Sequence, residues 1–124
     1  MNKILFLILV TTLFTIACNK NCEYTETVGV NTTLPDTVSV GQTVSVNLDY
    51  GVGGCGGTPD LIETVDDKHR IIQMDVHVTA PDCNCTLLLN LRQYPYTFTP
   101  TEAGVYSFEF YRPAGNLLDT IIVN

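Results

Sequence analysis

A hydrophobic period of two limits this chain more than any other feature. In TVSVGQTVSVNLDYGV, residues 37–52, Val38, Val40, Val44, Val46, Leu48, Tyr50 and Val52 share one parity, while Ser39, Ser45, Asn47 and Asp49 hold the other. Side chains alternate between the two faces of an extended strand, so the pattern specifies strands with one buried face, broken at Gly41-Gln42. HRIIQMDVHVTA repeats it, with Ile72, Met74, Val76 and Val78 inward. CTLLLNLRQY puts Cys85, Leu87, Leu89 and Leu91 on one face. YPYTFTP follows with Tyr96 and Phe98, GVYSFEFY with Tyr106, Phe108 and Phe110, and NLLDTIIVN reads as a last strand. No segment carries a convincing helical period, and there is no internal repeat.

Gly, Pro, Asn and Asp punctuate these runs at intervals that suit a sandwich of two sheets. Seven to eight short strands in about 100 residues predict an immunoglobulin-like antiparallel β-sandwich. TPTEAGVYSFEF adds a specific expectation. A glycine, one spacer and a tyrosine leading into an alternating strand is the form of a tyrosine corner, with the Tyr106 hydroxyl bonded to backbone near Glu102–Gly104. GVGGCG, residues 51–56, formally matches the G-x-G-x-x-G dinucleotide loop, but that loop must open a helix, and GTPDLIETV with Pro59 follows instead. Gly53, Gly54, Gly56 and Gly57 are better understood as letting the chain turn sharply and bring Cys55 to its partner. A glycine-rich loop at one end of a sandwich is also a candidate contact surface.

The N-terminus predicts export. Asn2 and Lys3 precede an uncharged, mostly apolar run from Ile4 to Ala17, shorter than the roughly 20 residues a membrane-spanning helix needs. Small Ala17 stands directly before Cys18, and the segment resembles a bacterial lipobox, with Thr15 where leucine is usual. That resemblance implies a lipoprotein signal peptide over 1–17 and diacylation of Cys18, with residues 18–27 as a lipidated polar tether and 28–124 as the sandwich. Beyond residue 17, five basic residues stand against 13 acidic ones. Such a surface repels nucleic acid, and no basic cluster offsets it. With Cys18 lipidated, Cys22, Cys55, Cys83 and Cys85 remain, an even number that reads as two disulfides in an exported domain. On an extended strand Cys83 and Cys85 would sit about 7 Å apart, too far to bond each other comfortably. Each is therefore expected to reach back, one to Cys22 and the other to Cys55, in either combination.

Constellations that carry chemistry are sparse. The Cys83 and Cys85 thiolates could in principle chelate a soft metal, but a closed site wants four ligands at recognisable spacing, so disulfides are expected and no metal. His69, Gln73, Asp75 and His77 share the outward face of one strand, with no serine or cysteine nucleophile evident beside them. Asp66-Asp67 beside Lys68 reads as turn chemistry. Hydrolase, zincin, EF-hand and P-loop signatures are missing, so neither catalysis nor a cofactor is expected.

LPDTVSVGQTVSVNL, GGCGG, CNCT and YTFTPTEAGVYSFEF together resemble small uncharacterised lipoproteins of flavobacteria and other Bacteroidota, over nearly the whole chain. The resemblance carries over no activity. With the lipobox, the expected location is the bacterial cell envelope, at the outer membrane and facing the periplasm or the surface. Loops at one sandwich end are the expected contacts for an envelope or extracellular protein. The resemblance also implies O-glycosylation at Asp-(Ser/Thr)-apolar triplets, for which Thr37 is the candidate and Thr120, within a strand, is not. A second resemblance is to chagasin-type inhibitors of cysteine peptidases, through GQTVSVNL and Arg112-Pro113 in YRPAG. Ala114 stands where their tryptophan would be, and GVGGCGG replaces their Asn-Pro-Thr-Thr-Gly loop. The expectation is thus a lipid-anchored, non-catalytic binding or structural module, with peptidase inhibition as the alternative.

Overall fold

The computed structural model describes residues 22–124, which form nine strands and one 3₁₀ turn. The strands are β1 (Cys22–Val28), β2 (Val30–Asn31), β3 (Thr37–Val38), β4 (Val44–Val52) and β5 (Thr58–Asp66). After them come β6 (His69–Ala80), β7 (Asn90–Phe98), β8 (Gly104–Phe110) and β9 (Leu117–Val123), with the turn at Pro81–Cys83. They form a sandwich. One sheet runs β1-β6-β8-β9-β3 with β5 also on β6, and the other runs β2-β4-β7. The expected signal peptide and the lipidation at Cys18 lie outside the described residues.

Most pairings are antiparallel, and two short ones are parallel: β3 with β9 and β6 with β8. β6 organises the larger sheet. One of its edges pairs β5 from His69 to His77. The other is shared, with β8 alongside His69–Ile72 and β1 alongside Met74–Ala80. β7 is an edge strand, which is where Pro95, lacking an N–H, can sit without breaking a ladder.

The N-terminal segment stitches the layers together. Val28 pairs with Met74 in one sheet and Val30 with Tyr50 in the other, so the chain changes layer at Gly29. A Cβ at Gly29 would lie 3.1 Å from Pro113 Cδ, a close approach that favours glycine. β3 then returns to the first sheet beside β9.

The core follows the predicted parity. Leu48, Ile72, Met74, Phe108, Phe110 and Ile121 are fully buried, and Tyr96, Phe98 and Tyr106 nearly so. Phe98 meets Phe108 edge-on at 5.2 Å between centroids and Tyr106 at 5.1 Å, an aromatic cluster joining the sheets. The tyrosine corner is present. Tyr106 donates its hydroxyl hydrogen to the Glu102 carbonyl at 3.1 Å. Tyr106→Phe deletes that bond while keeping the ring, and is expected to cost about 1 kcal/mol, lowering the thermal midpoint by about 5 °C. A variant that melts together with the wild-type protein would remove the corner's structural role.

Three expectations need correction. Val40 is 46% exposed, because the chain turns at Gly41 (φ 79) before the alternation resumes. Residues 22–27, assigned to a tether, belong to β1 and are held by its ladder with β6. The strand expected from Cys85, with Cys85, Leu87, Leu89 and Leu91 on one face, starts only at Asn90. Residues 84–89 stay off the sheets, and all three leucines are exposed. Turn chemistry is present where Asp66-Asp67 beside Lys68 suggested it: Asp66 ends β5, and Asp67-Lys68 make the two-residue connection to β6, with Asp67 at φ 51, a conformation aspartate tolerates better than most.

Candidate functional site

One end of the sandwich gathers most of the residues singled out above. β6 ends there at Ala80, β1 begins there at Cys22, and β4 ends there at Val52 while β7 starts at Asn90. Both disulfides lie at this end. Cys22 bonds Cys83 and Cys55 bonds Cys85, with Cα separations of 4.9 and 5.1 Å. The pairing left open by the sequence is thereby resolved, and neither Cys83 nor Cys85 remains a thiolate ligand. Asp82 and Cys83 both take positive φ (53 and 58), turning the chain back toward Cys22. Among the described residues, no three His, Cys, Asp or Glu side chains cluster as a metal would require.

The glycines of 53–57 serve this junction unequally. Gly56 (φ 67) and Gly57 (φ 150) hold conformations that L side chains rarely adopt. Gly54 N–H donates to the Thr86 carbonyl at 3.2 Å, and a Cβ there would lie 1.7 Å from Thr86 Oγ1. Gly53 faces open space. Gly54→Ala is therefore expected to destabilise by about 2 kcal/mol, roughly 10 °C in thermal midpoint, whereas Gly53→Ala changes it by less than about 0.5 kcal/mol. Equal effects at the two positions would contradict the close approach to Thr86.

Arg112 and Pro113 belong to the turn after β8. The Arg112 N–H donates to Asn116 Oδ1 at 3.3 Å, and Val30 N–H donates to the Tyr111 carbonyl at 3.1 Å. Since Val30 pairs with Tyr50, the 51–57 and 112–116 loops flank the Gly29–Val30 crossing at the same end. A groove of about 770 Å³ runs along the outer face of the smaller sheet, lined by Gly29, Asn31, Asp49, Gly51, Leu91 and Gln93. Gly51 opens it, since a Cβ there would press on Leu89. Thr37, the glycosylation candidate, is exposed on β3.

The outer face of the larger sheet departs from expectation. Parallel pairing sets Ser107 opposite His69 and Glu109 opposite Ile71. Ser107 Oγ lies 2.6 Å from His69 Nδ1, and Glu109 Oε2 lies 3.4 Å from His69 Nε2. A serine does stand beside this histidine. Asn116 holds the other Glu109 oxygen at 2.7 Å. This Ser-His-Glu row has the outline of a proton relay, but the Ser107 N–H donates to the Lys68 carbonyl at 2.9 Å. The Ser107 amide is thus engaged by backbone and not free to receive an oxyanion. Elsewhere on β6, Thr25 Oγ1 lies 2.8 Å from His77 Nδ1, and Asp75 accepts from both Thr27 and Gln73.

A further cluster escaped the sequence reading. Arg70 has the inward parity of β6 and closes the far end of the core, its guanidinium 4.6 Å above the Phe98 ring. Its Nη1 pairs with Glu63, which also accepts from the Tyr96 hydroxyl at 2.8 Å. Burial, reinforced by the Glu63 hydrogen bond, holds the Tyr96 phenol well above the usual tyrosine range. An arginine at an inward position was the available signal, since such a charge must find a partner.

Comparison of the chain with protein-family models, curated proteins and solved structures finds no match.

Proposed function

We propose that this chain is a lipid-anchored, non-catalytic module of the bacterial cell envelope, presenting a binding or structural surface to an envelope or extracellular protein. The observation that carries this reading is the cysteine arithmetic. Of five cysteines, the four among the described residues pair with one another, and the fifth is Cys18, at the position where the lipobox resemblance puts an acyl group. Two disulfides also suit an oxidising compartment. The non-catalytic part draws support from the Ser107 amide, which is engaged by backbone beside His69. The groove beside Gly29 and Gly51, with Arg112 and Pro113 nearby, supplies a polar-rimmed contact surface.

Fractionation tests the anchor. Expressed in a flavobacterial host, the wild-type protein is expected in the membrane pellet. A chain whose residues 1–18 are replaced by a cleavable secretory signal without a lipobox is expected in the soluble envelope fraction, because loss of the acyl chains removes the dominant membrane affinity. Recovery of both in the same fraction would defeat the proposal. The inhibitor alternative has one favourable observation, the shared end of the 51–57 and 112–116 loops. A papain-type peptidase left fully active by a large excess of the protein would eliminate it.

A further inference from the structure

We propose that residues 83–91, running from the end of the 3₁₀ turn through the off-sheet 84–89 stretch to the first residues of β7, form a membrane-docking surface, in which Leu87, Leu88, Leu89 and Leu91 enter the headgroup–acyl boundary of the bilayer that holds the anchor. The inference rests on the anchored reading of Cys18 and specifies the orientation that the anchor leaves open.

Single exposed leucines are ordinary on protein surfaces. Here four of five consecutive positions are leucine, with exposures of 105%, 65%, 67% and 80% in chain order from Leu87 to Leu91. A contiguous apolar patch at one end of a small domain marks an interaction site. The position of the chain's start identifies the occupant. Cys22 is bonded to Cys83, so the polypeptide enters its folded body beside the base of this loop. Four residue steps separate Cys18 from Cys22, a reach of at most about 14 Å. An acylated Cys18 therefore holds this end against the lipid, and the leucines meet the bilayer before anything else.

Charge agrees with that occupant. The chain has 13 acidic residues against six basic ones, yet residues 83–91 carry no charge, and Arg92 follows directly. Acidic side chains repelled by anionic head groups are kept out of the segment that would approach them, Asp82 at its border excepted. Buried about 5–10 Å into the interface, the loop acts as a second attachment beside the acyl chains. It also fixes orientation, with β6 rising from the membrane. The turns at Gly41-Gln42, Asp67-Lys68 and Glu102–Gly104 then face outward.

The chain has no tryptophan, so an indole introduced at one position is its only indole emitter. The acylated full chain, its lipid verified by mass, is reconstituted in phosphatidylethanolamine–phosphatidylglycerol vesicles with and without brominated acyl chains. Leu88→Trp fluorescence is expected to fall about twofold or more with brominated lipid, while Val105→Trp, exposed near the opposite end, is unaffected. Adding Leu87→Ser and Leu89→Ser to the Leu88→Trp chain should abolish most of the quenching. Persistence of full quenching would show that the indole, and not the leucines, drives insertion, and would overturn the proposal. Emission at position 88 that brominated lipid leaves unchanged in acylated protein overturns it too and spares the anchor. If that indole is also shielded from aqueous iodide, a second copy or another protein covers the loop. A chain carrying no acyl group refutes both readings together.

Discussion

Reducing the two disulfides is expected to unfold this domain at neutral pH and room temperature. The Cys22–Cys83 link closes a span of 61 residues and the Cys55–Cys85 link one of 30. By loop-closure entropy each restricts the unfolded chain by about 4 kcal/mol, slightly more for the longer span. A domain of this size has a total stability of roughly 5–15 kcal/mol, so losing both consumes most or all of it. The local structure sharpens the expectation. Positive φ at Asp82 and Cys83, and the approach of Gly54 to Thr86, are unfavourable local conformations at the bridged junction, and reduction is expected to release them. Cys22→Ser with Cys83→Ser should also free β1, whose first residue is the bonded one. Thermal melts followed by circular dichroism, with and without reductant, provide the check. A shift in midpoint of less than about 5 °C on full reduction would refute the claim.

Phe108→Ala should lower stability by about 4 kcal/mol and the thermal midpoint by about 20 °C. Phe108 is fully buried on β8, with β6 on one side and β9 on the other. Its ring contacts Phe98 edge-on across the sheets and lies nearly parallel to Phe110 at 6.3 Å. Truncation leaves a cavity in the middle of that cluster, where neither sheet can collapse without moving its partner strands. Val105→Ala, on the opposite face of the same strand and 61% exposed, should stay within about 0.5 kcal/mol of wild type. The contrast tests the parity of the whole strand, and similar losses at both positions would place β8 in the wrong register.

What the sequence made legible follows from local periodicity. β4, β6 and β8 alternate cleanly, and the structure buries the predicted side of each: Leu48, Ile72 and Phe108 on the inside, Asp49, Gln73 and Ser107 outside. The tyrosine corner was readable because all its parts lie within five residues. Leu87–Leu91 misled because three successive leucines carry no parity, and because Cys55–Cys85 and the Gly54–Thr86 hydrogen bond hold the chain away from the sheet until Asn90. Ser107 beside His69 could not be foreseen. It depends on the parallel register of strands separated by more than twenty residues, which no local pattern encodes. The same holds for Arg70, Glu63 and Tyr96, brought together from three strands of two sheets.

Intact-mass spectrometry of the protein extracted from native membranes tests the central claim most directly. The account predicts a chain beginning at residue 18, bearing a thioether-linked diacylglycerol and short of four hydrogens for its two disulfides. A polypeptide that still starts at Met1, unacylated and with free thiols, would contradict it.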